Sequence, residues 1–459
     1  MGLRLSDSVA PMADTSESTT DAADPSRPLG ANYRKLFSAS TISNLGDGIG
    51  LIAYPWLATA VTRNAFLIAL VTVAQRLPWL VFSLPAGVIT DRYDRRMLMF
   101  WSSVARTVIA VFIAFVVLAA DDSLPDVEVL NDAEAVIDTN VGLYVTLLLV
   151  TLAFGIAEVI YDNAAQTFMP NLVDADQLER ANGRLWSTEQ VANTFVGPPL
   201  GGFLIAVTFS LPFFVDAVTF AVAALLIWLI RVPRRSAPPT LEERRPWKTE
   251  LAEGFRWLWS HELLRPMAII LGLLNALGML TGAILVLYAQ EVLDTSATVF
   301  ALLMTGGAIG GIIGGWSASW ISRRIGPGPS LWVTLLGGAV SNVIIGFTTF
   351  WPVVWVMFAF YSLIGVLWNV ITVSLRQTII PDQLLGRVNS VYRFFAWGMM
   401  PIGSIVGGLL VAIADGPLDR GDALRLPWVV AGVLHVVLFV FAAPKLTTER
   451  IEAARAAAE

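Results

Sequence analysis

Gln166-Thr-Phe-Met-Pro170 closes one long apolar run of this chain, and Gln377-Thr-Ile-Ile-Pro381 closes another. The first phrase is followed by Arg180-Ala-Asn182 and the second by Arg387-Val-Asn389. Farther along, Gly201-Gly202 is echoed by Gly407-Gly408. Upstream, Gly87, Arg95 and Arg96 match Gly315, Arg323 and Arg324 at one constant offset. Shared phrases in the same order mark two copies of one unit. If the runs between them cross a membrane, two parallel repeats place a substrate path at their interface near mid-bilayer.

The runs have the length for it. About 20 mostly apolar residues cross ~30 Å of hydrocarbon. Such segments occur near 36–61, 66–90, 97–120, 140–162, 184–208 and 212–231, and again near 266–290, 297–321, 329–350, 353–377, 388–414 and 427–443. Composition agrees: 56% of the 459 residues are apolar and only 14% charged, with a mean hydropathy of +0.67. A soluble protein of this size cannot keep so much apolar surface from water. The absence of cysteine excludes disulfide scaffolds, thiolate metal sites and cysteine nucleophiles. Two histidines, His261 and His435, leave little for a metal cage or a His-based triad. With a net charge of −6 and basic residues in short clusters, no nucleic-acid partner is expected.

Lys and Arg orient the spans. With the N-terminus inside, Arg63, Arg420 and Arg425 fall outside, Arg76, Arg106 and Arg393 fall within spans, and every other basic residue lies at the inner side. Both termini are therefore expected in the cytoplasm. Residues 1–32 read as a disordered tail. Residues 33–231 form the first six-helix bundle and 266–445 the second, with 446–459 as a closing tail. The linker, 232–265, ends in an amphipathic helix whose Leu251, Phe255, Leu258 and Trp259 recur at helical spacing.

The loop after the second span reads Gly87-Val-Ile-Thr-Asp91-Arg92-Tyr-Asp-Arg95-Arg96. It resembles the signature loop of the major facilitator superfamily, and the likeness extends over residues 33–445. The resemblance implies an all-α integral membrane fold of twelve transmembrane helices in two six-helix pseudo-repeats. It also implies that Asp91, Arg92 and Arg95 join Asp162 in an inner latch; plain positive-inside anchoring accounts for part of Arg95 and Arg96. Gly197-Pro198-Pro-Leu-Gly201-Gly202 resembles the kink motif of drug–proton antiporters, although Arg184 and Asn193 stand where the longer motif has glycines. Asn44-Leu-Gly-Asp47-Gly and Leu384-Leu-Gly-Arg387-Val-Asn389 are similar to phrases of the macrolide-efflux and enterobactin-exporter branch, which implies export.

A charge at mid-bilayer costs roughly 2.5–3.5 kcal/mol, so each needs a partner or a task. Asp47, Arg76 and Arg106 fall at one depth in three spans of the first half, and Asp47 is the first choice for the coupling acid. A static Asp–Arg pair that only fixes packing is the alternative. Glu189 precedes the Gly-Pro kink and offers a second protonation site, or reaches the interface. Asp216, near the end of its span, is expected in solvent. Trp368, Asn369 and Trp397 are the pocket candidates of the second half; Trp351 and Trp428, at span ends, are expected in an interfacial belt. These residues predict a secondary transporter, exporting a hydrophobic or amphipathic small molecule in exchange for protons or sodium, and the resemblance implies that it works as a monomer. The competing readings are uptake, lysolipid movement, a membrane enzyme and a sensor. No Gly-x-x-x-x-Gly-Lys-Ser/Thr phosphate cradle occurs, and no cofactor or metal is expected.

Overall fold

The computed structural model describes residues 28–126, 129–130, 137–174, 177–231 and 247–457. Much of the expected N-terminal tail, part of the linker and, between the third and fourth spans, residues 127–128 and 131–136 lie outside the described residues, as do the side chains of Asp91 and Leu251. Seven helices build the first half: α1 (Ala31–Val61), α2 (Ala65–Arg92), α3 (Arg95–Ala119), α4 (Val141–Phe168), α5 (Leu178–Gln190), α6 (Gly197–Val207) and α7 (Leu211–Trp228). A linker helix, α8 (Trp247–Ser260), precedes α9 (Leu264–Gly282), α10 (Leu285–Glu291), α11 (Ala297–Ile325) and α12 (Pro327–Phe347). Then come α13 (Trp351–Ile379), α14 (Asp382–Ala414), α15 (Arg420–Ala442) and a short α16 (Thr448–Ala456) within the expected closing tail.

Local chemistry sets the boundaries. The side chains of Asn64, Asp94, Asn140 and Ser296 accept hydrogen bonds from the first turns of α2, α3, α4 and α11, replacing partners that a helix start lacks. Proline sets the break between α5 and α6. Pro198 cannot donate to the preceding turn, and the six residues Val191–Val196 before it widen into a π-helical turn. Together α5, this turn and α6 make one bent span.

Eleven of the described helical segments are long and apolar enough to cross a membrane. The twelfth expected span, α1, has the length but not the apolarity, because Ser40, Ser43, Asn44 and Asp47 stud its middle. Its place in the bundle explains this composition: α1 packs on α6 and α7, and Ser40 and Ser43 are buried. Elsewhere apolar side chains point outward, as they must towards lipid. On α3, Trp101, Val108, Phe112 and Phe115 share one face and are all more than half exposed.

Helices α1–α7 pack among themselves, as do α9–α15; the halves meet where α2 crosses α14 and α6 crosses α11. At the face where the chain begins and ends, here the terminal face, each half keeps its own apolar core. One core surrounds Leu36, Phe168 and Ile227, and the other surrounds Leu264, Leu335 and Leu375. At the opposite face a single core runs through both halves, with the ring of Trp56 of α1 tilted against Phe300 of α11 at 5.5 Å. Trp428 belongs to this core. It is 3% exposed, its ring 5.4 Å from Tyr288, so the expectation of an interfacial tryptophan fails there.

Candidate functional site

A cavity of about 240 Å³ lies inside the first half, and charged side chains from five helices converge on or beside it. Asp47 reaches it from α1, Arg76 from α2, Glu158 from α4 and Asp216 from α7, while Arg106 of α3 pairs with Asp47 from behind. At ~1.5 Å per residue, Asp47 stands ~24 Å along α1 and Arg76 and Arg106 ~16 Å along their helices, all well inside the bundle.

Glycines let α1 come close enough to present Asp47. A Cβ at Gly46 would collide with the Asp216 carboxylate and the Thr219 hydroxyl. At Gly48 a Cβ would stand 2.8 Å from the Asn193 carbonyl oxygen and 2.9 Å from the Gly197 Cα. Gly201 fits against Ile49 in the same way, 2.7 Å from its carbonyl. The kink residues Gly197, Pro198 and Gly201 thus seat the bent span on α1 beside the acid. Gly202 turns the other way, with a Cβ there placed 2.7 Å from the Ala297 carbonyl of α11 in the second half. The second copy repeats this division of labour. Gly407 abuts the Leu280 carbonyl of its own half, and Gly408 faces Ala69 and Phe66 of α2 across the interface.

Arg106 is 1% exposed, and its guanidinium forms the ion pair with Asp47. Nη1 also donates to Ser43 Oγ at 3.2 Å. Phe220 and Phe154 stand with ring centres 4.0 and 4.7 Å from the guanidinium carbon, so aromatic faces enclose the buried cation. Neutralising a buried charge requires such a partner. Arg76 does not join the pair; it is exposed to the cavity along with Gln75, Glu158 and Asn193. Asp216, expected in solvent, is 2% exposed, and its Oδ1 has no hydrogen-bond partner. The missing Cβ at Gly46 admits it. Glu189 is half-buried two residues before the π-helical turn and is not part of the cavity wall.

Part of the latch expected from the resemblance, the Asp91 side chain, lies outside the described residues. Helix α4 runs on past Asp162 to Phe168, and Arg95 reaches the last turn of that helix. Arg95 Nη1 donates to the Thr167 carbonyl at 2.8 Å, and Arg96 Nη1 to the Ile230 carbonyl at 2.6 Å. Both arginines therefore satisfy carbonyls at helix C-termini, where positive charge is favoured. Arg92 is exposed; Gly87 lies within α2, and its surroundings and the Asp91 side chain fall outside the description.

In the second half, Asn369 and Trp397 line a cavity of about 270 Å³. Trp368 does not; it is 2% exposed in the apolar core of that half, with Nε1 unpaired. Trp397 meets Trp79 of the first cavity at 5.1 Å, so one tryptophan pair separates the two spaces.

Sequence reasoning missed the polar cluster that ties the halves at the opposite face. Arg63 pairs with Glu291 at 3.5 Å and donates to Gln290 Oε1 at 2.7 Å. Arg420 pairs with the same Glu291 at 2.8 Å and donates to the Arg63 carbonyl at 2.8 Å. Gln290 in turn donates to Thr59 Oγ1 at 2.9 Å. Glu291 is only 2% exposed. In sequence Arg63 and Arg420 read only as charges outside the spans; Glu291, an acid closing the seventh apolar run, is the available signal.

Comparison with known proteins adds the relatives. The family model described as Major Facilitator Superfamily matches residues 36–401. A multidrug efflux pump, Tap, of Mycolicibacterium fortuitum is 27% identical over 419 residues, covering 88% of this chain and 94% of its own. The enterobactin exporter EntS of Citrobacter koseri is 24% identical over 408 residues, covering 88% and 91%. A solved variant of the nucleoside transporter NupG superposes with a TM-score of 0.69 at 10% identity, over 91% of this chain and all of the other.

Proposed function

Since this chain belongs to the Major Facilitator Superfamily, we propose that its two halves alternate access to export a hydrophobic or amphipathic small molecule in exchange for protons. The observation that carries this reading is the carboxylate-rich cavity of Asp47, Glu158 and Asp216 set behind a closed opposite face. Relatives with 24% and 27% identity are named as an exporter and an efflux pump, which supports the outward direction. In this reading the terminal face is cytoplasmic, the membrane is the cell membrane and the working unit is one chain.

Coupling follows from competition for one polar site. Cargo that displaces Arg106 from Asp47, or screens Glu158 and Asp216, changes how readily those acids hold a proton. Each ligand then weakens the other's binding, and the linkage is reciprocal. Asp47, Arg76, Arg106 and Glu189 are the coupling residues in this reading, with Trp368, Asn369 and Trp397 on the cargo side. Trp368 acts there as support behind Asn369. Asp91, Arg92, Arg95, Arg96, Gly87 and Asp162 act in the cytoplasmic gate, and no chemical step on the cargo is invoked.

The test uses everted membrane vesicles with an inward-acidic gradient. Candidate dyes and macrolides are added, and proton release is followed for wild type and Asp47→Asn. The expected result is that at least one compound dissipates the gradient in wild type and fails to do so in the variant. A response that survives in Asp47→Asn removes Asp47 from coupling. Silence of wild type across a broad panel overturns multidrug export.

A further inference from the structure

The two cavities carry opposite charge. Three carboxylates and one guanidinium face the first; the second holds Arg376 and Arg393 and no carboxylate. Among the described residues neither arginine has a carboxylate oxygen within 4.0 Å. From this juxtaposition we propose that the cavity of the second half is an anion subsite, built to take a carboxylate or phosphate group.

Its walls are prepared for that task. Arg376 lies in the last turn of α13, and its Nε donates to the Thr372 carbonyl at 3.3 Å. Its guanidinium carbon lies 4.2 Å from the centre of the Tyr392 ring. The ring itself is fixed, because Tyr392 Oη donates to the Leu264 carbonyl at 3.1 Å. The guanidinium is thus oriented through one nitrogen and one face, while its two amino groups have no hydrogen-bond partner among the described residues. Arg393 stands one residue beyond Tyr392 and ~16 Å along α14, exposed to the cavity. Asn275 of α9 donates to the Ala396 carbonyl at 3.0 Å and so pins the α14 backbone behind the two cations. Asn369 adds a free amide two helical turns from Arg376 on the same face of α13.

Two like charges sharing a cavity inside a membrane are unfavourable without a counter-charge. Among the described residues the fold supplies none here, whereas in the first half it supplies Asp47 to Arg106. Planar guanidinium groups bind carboxylate and phosphate through paired, charge-assisted hydrogen bonds. The occupant therefore brings the anion. It is either a group on the cargo or the headgroup of an anionic lipid entering from the terminal face. The cargo assignment rests on the transport reading above; the binding itself does not.

Dansylglycine and dansylglycinamide share one aromatic body and differ in a single carboxylate. Protein in phosphatidylcholine nanodiscs is titrated with each, and tryptophan-to-dansyl energy transfer reports binding. Wild type is expected to prefer dansylglycine by about tenfold or more. Inorganic phosphate is expected to displace dansylglycine and to leave dansylglycinamide in place, a measurement that needs no variant. Arg376→Gln/Arg393→Gln is expected to bind both dyes alike, and Arg376→Lys/Arg393→Lys to keep part of the preference. No preference in wild type overturns the proposal, as does one that survives in a folded double-glutamine variant. In discs doped with phosphatidylglycerol, an Arg-dependent loss of dansylglycine affinity assigns the subsite to a lipid headgroup, and unchanged affinity assigns it to cargo. A wild type that shows the preference yet moves nothing in everted vesicles overturns the transport reading and leaves the subsite standing.

Discussion

Arg106 illustrates how one side chain can be read from sequence and still be incompletely understood. Its depth in an apolar run required a counter-charge, and Asp47 at the same level was the evident one. The cage of Phe154, Phe220 and Tyr161 was not legible, because it assembles from two other helices. Asp216 failed for the same reason: its exposure depends on a missing Cβ at Gly46, on a helix far away in the chain. Removing one partner of a buried pair leaves the other uncompensated, typically at about 3–5 kcal/mol. Asp47 keeps 19% of its side-chain surface open, so the lower end applies. Arg106→Gln should therefore lower the thermal midpoint of the detergent-solubilised protein markedly. Asp47→Asn/Arg106→Gln should recover part of the loss, since no charge is then stranded. A double variant no more stable than Arg106→Gln would show that the cage, and not the pair, holds the site.

Among the elements, α2, α3, α4 and α11, each with a capping side chain before it, begin within two residues of the expected spans, whereas α15, preceded by Asp419, begins at Arg420 and not near 427. The continuation of α4 to Phe168 hid behind Asp162 and Asn163, which look like an exit from the bilayer. The start of α9 is set by a cap that lies outside the usual residue set. His261 Nδ1 accepts from the backbone N–H groups of Leu263 and Leu264, both at 3.2 Å. Half-burial beside Trp257 holds the imidazole below its ordinary pKa, since the charged form is the one that burial penalises. The folded protein consequently binds fewer protons here than the unfolded chain, whose histidine titrates near ~6.5. This stabilisation is complete above that pH and is lost below it, as pH falls through the depressed pKa of the folded state. Protonation also converts the accepting nitrogen into a donor and breaks the cap. His261→Asn, which keeps an acceptor without the titration, should flatten the decline of the thermal midpoint between pH 7.5 and 5. An unchanged slope would place the acid sensitivity elsewhere.

For the whole molecule, duplication and span count were visible in the order of repeated phrases, but which face is closed was not. That depends on contacts between residues hundreds of positions apart, such as Arg420 with Arg63. Glu291 is the common member of the cluster, holding Arg63 of one half and Arg420 of the other. Its near-complete burial leaves little room for salt to screen it. Glu291→Gln removes the charge that both arginines share, so the population should shift towards opening at this face. The chain has no cysteine, so spin labels at Asn64→Cys and Asp419→Cys report without background. The distance between them is expected to lengthen in the Glu291→Gln protein. An unaltered distribution would mean that the continuous apolar core closes this face unaided.

The paired glycines carry a final consequence. At Gly202 and Gly408 the two halves touch so closely that even a methyl group is excluded. In the alternating-access reading those crossings part when the molecule turns to its other side, which would relieve the clash. Alanine at either position would act as a ratchet pawl, cheap in one orientation and forbidden in the other. The resting direction of the whole machine is in this sense recorded by the absence of two carbon atoms, one in each copy of an ancestral half.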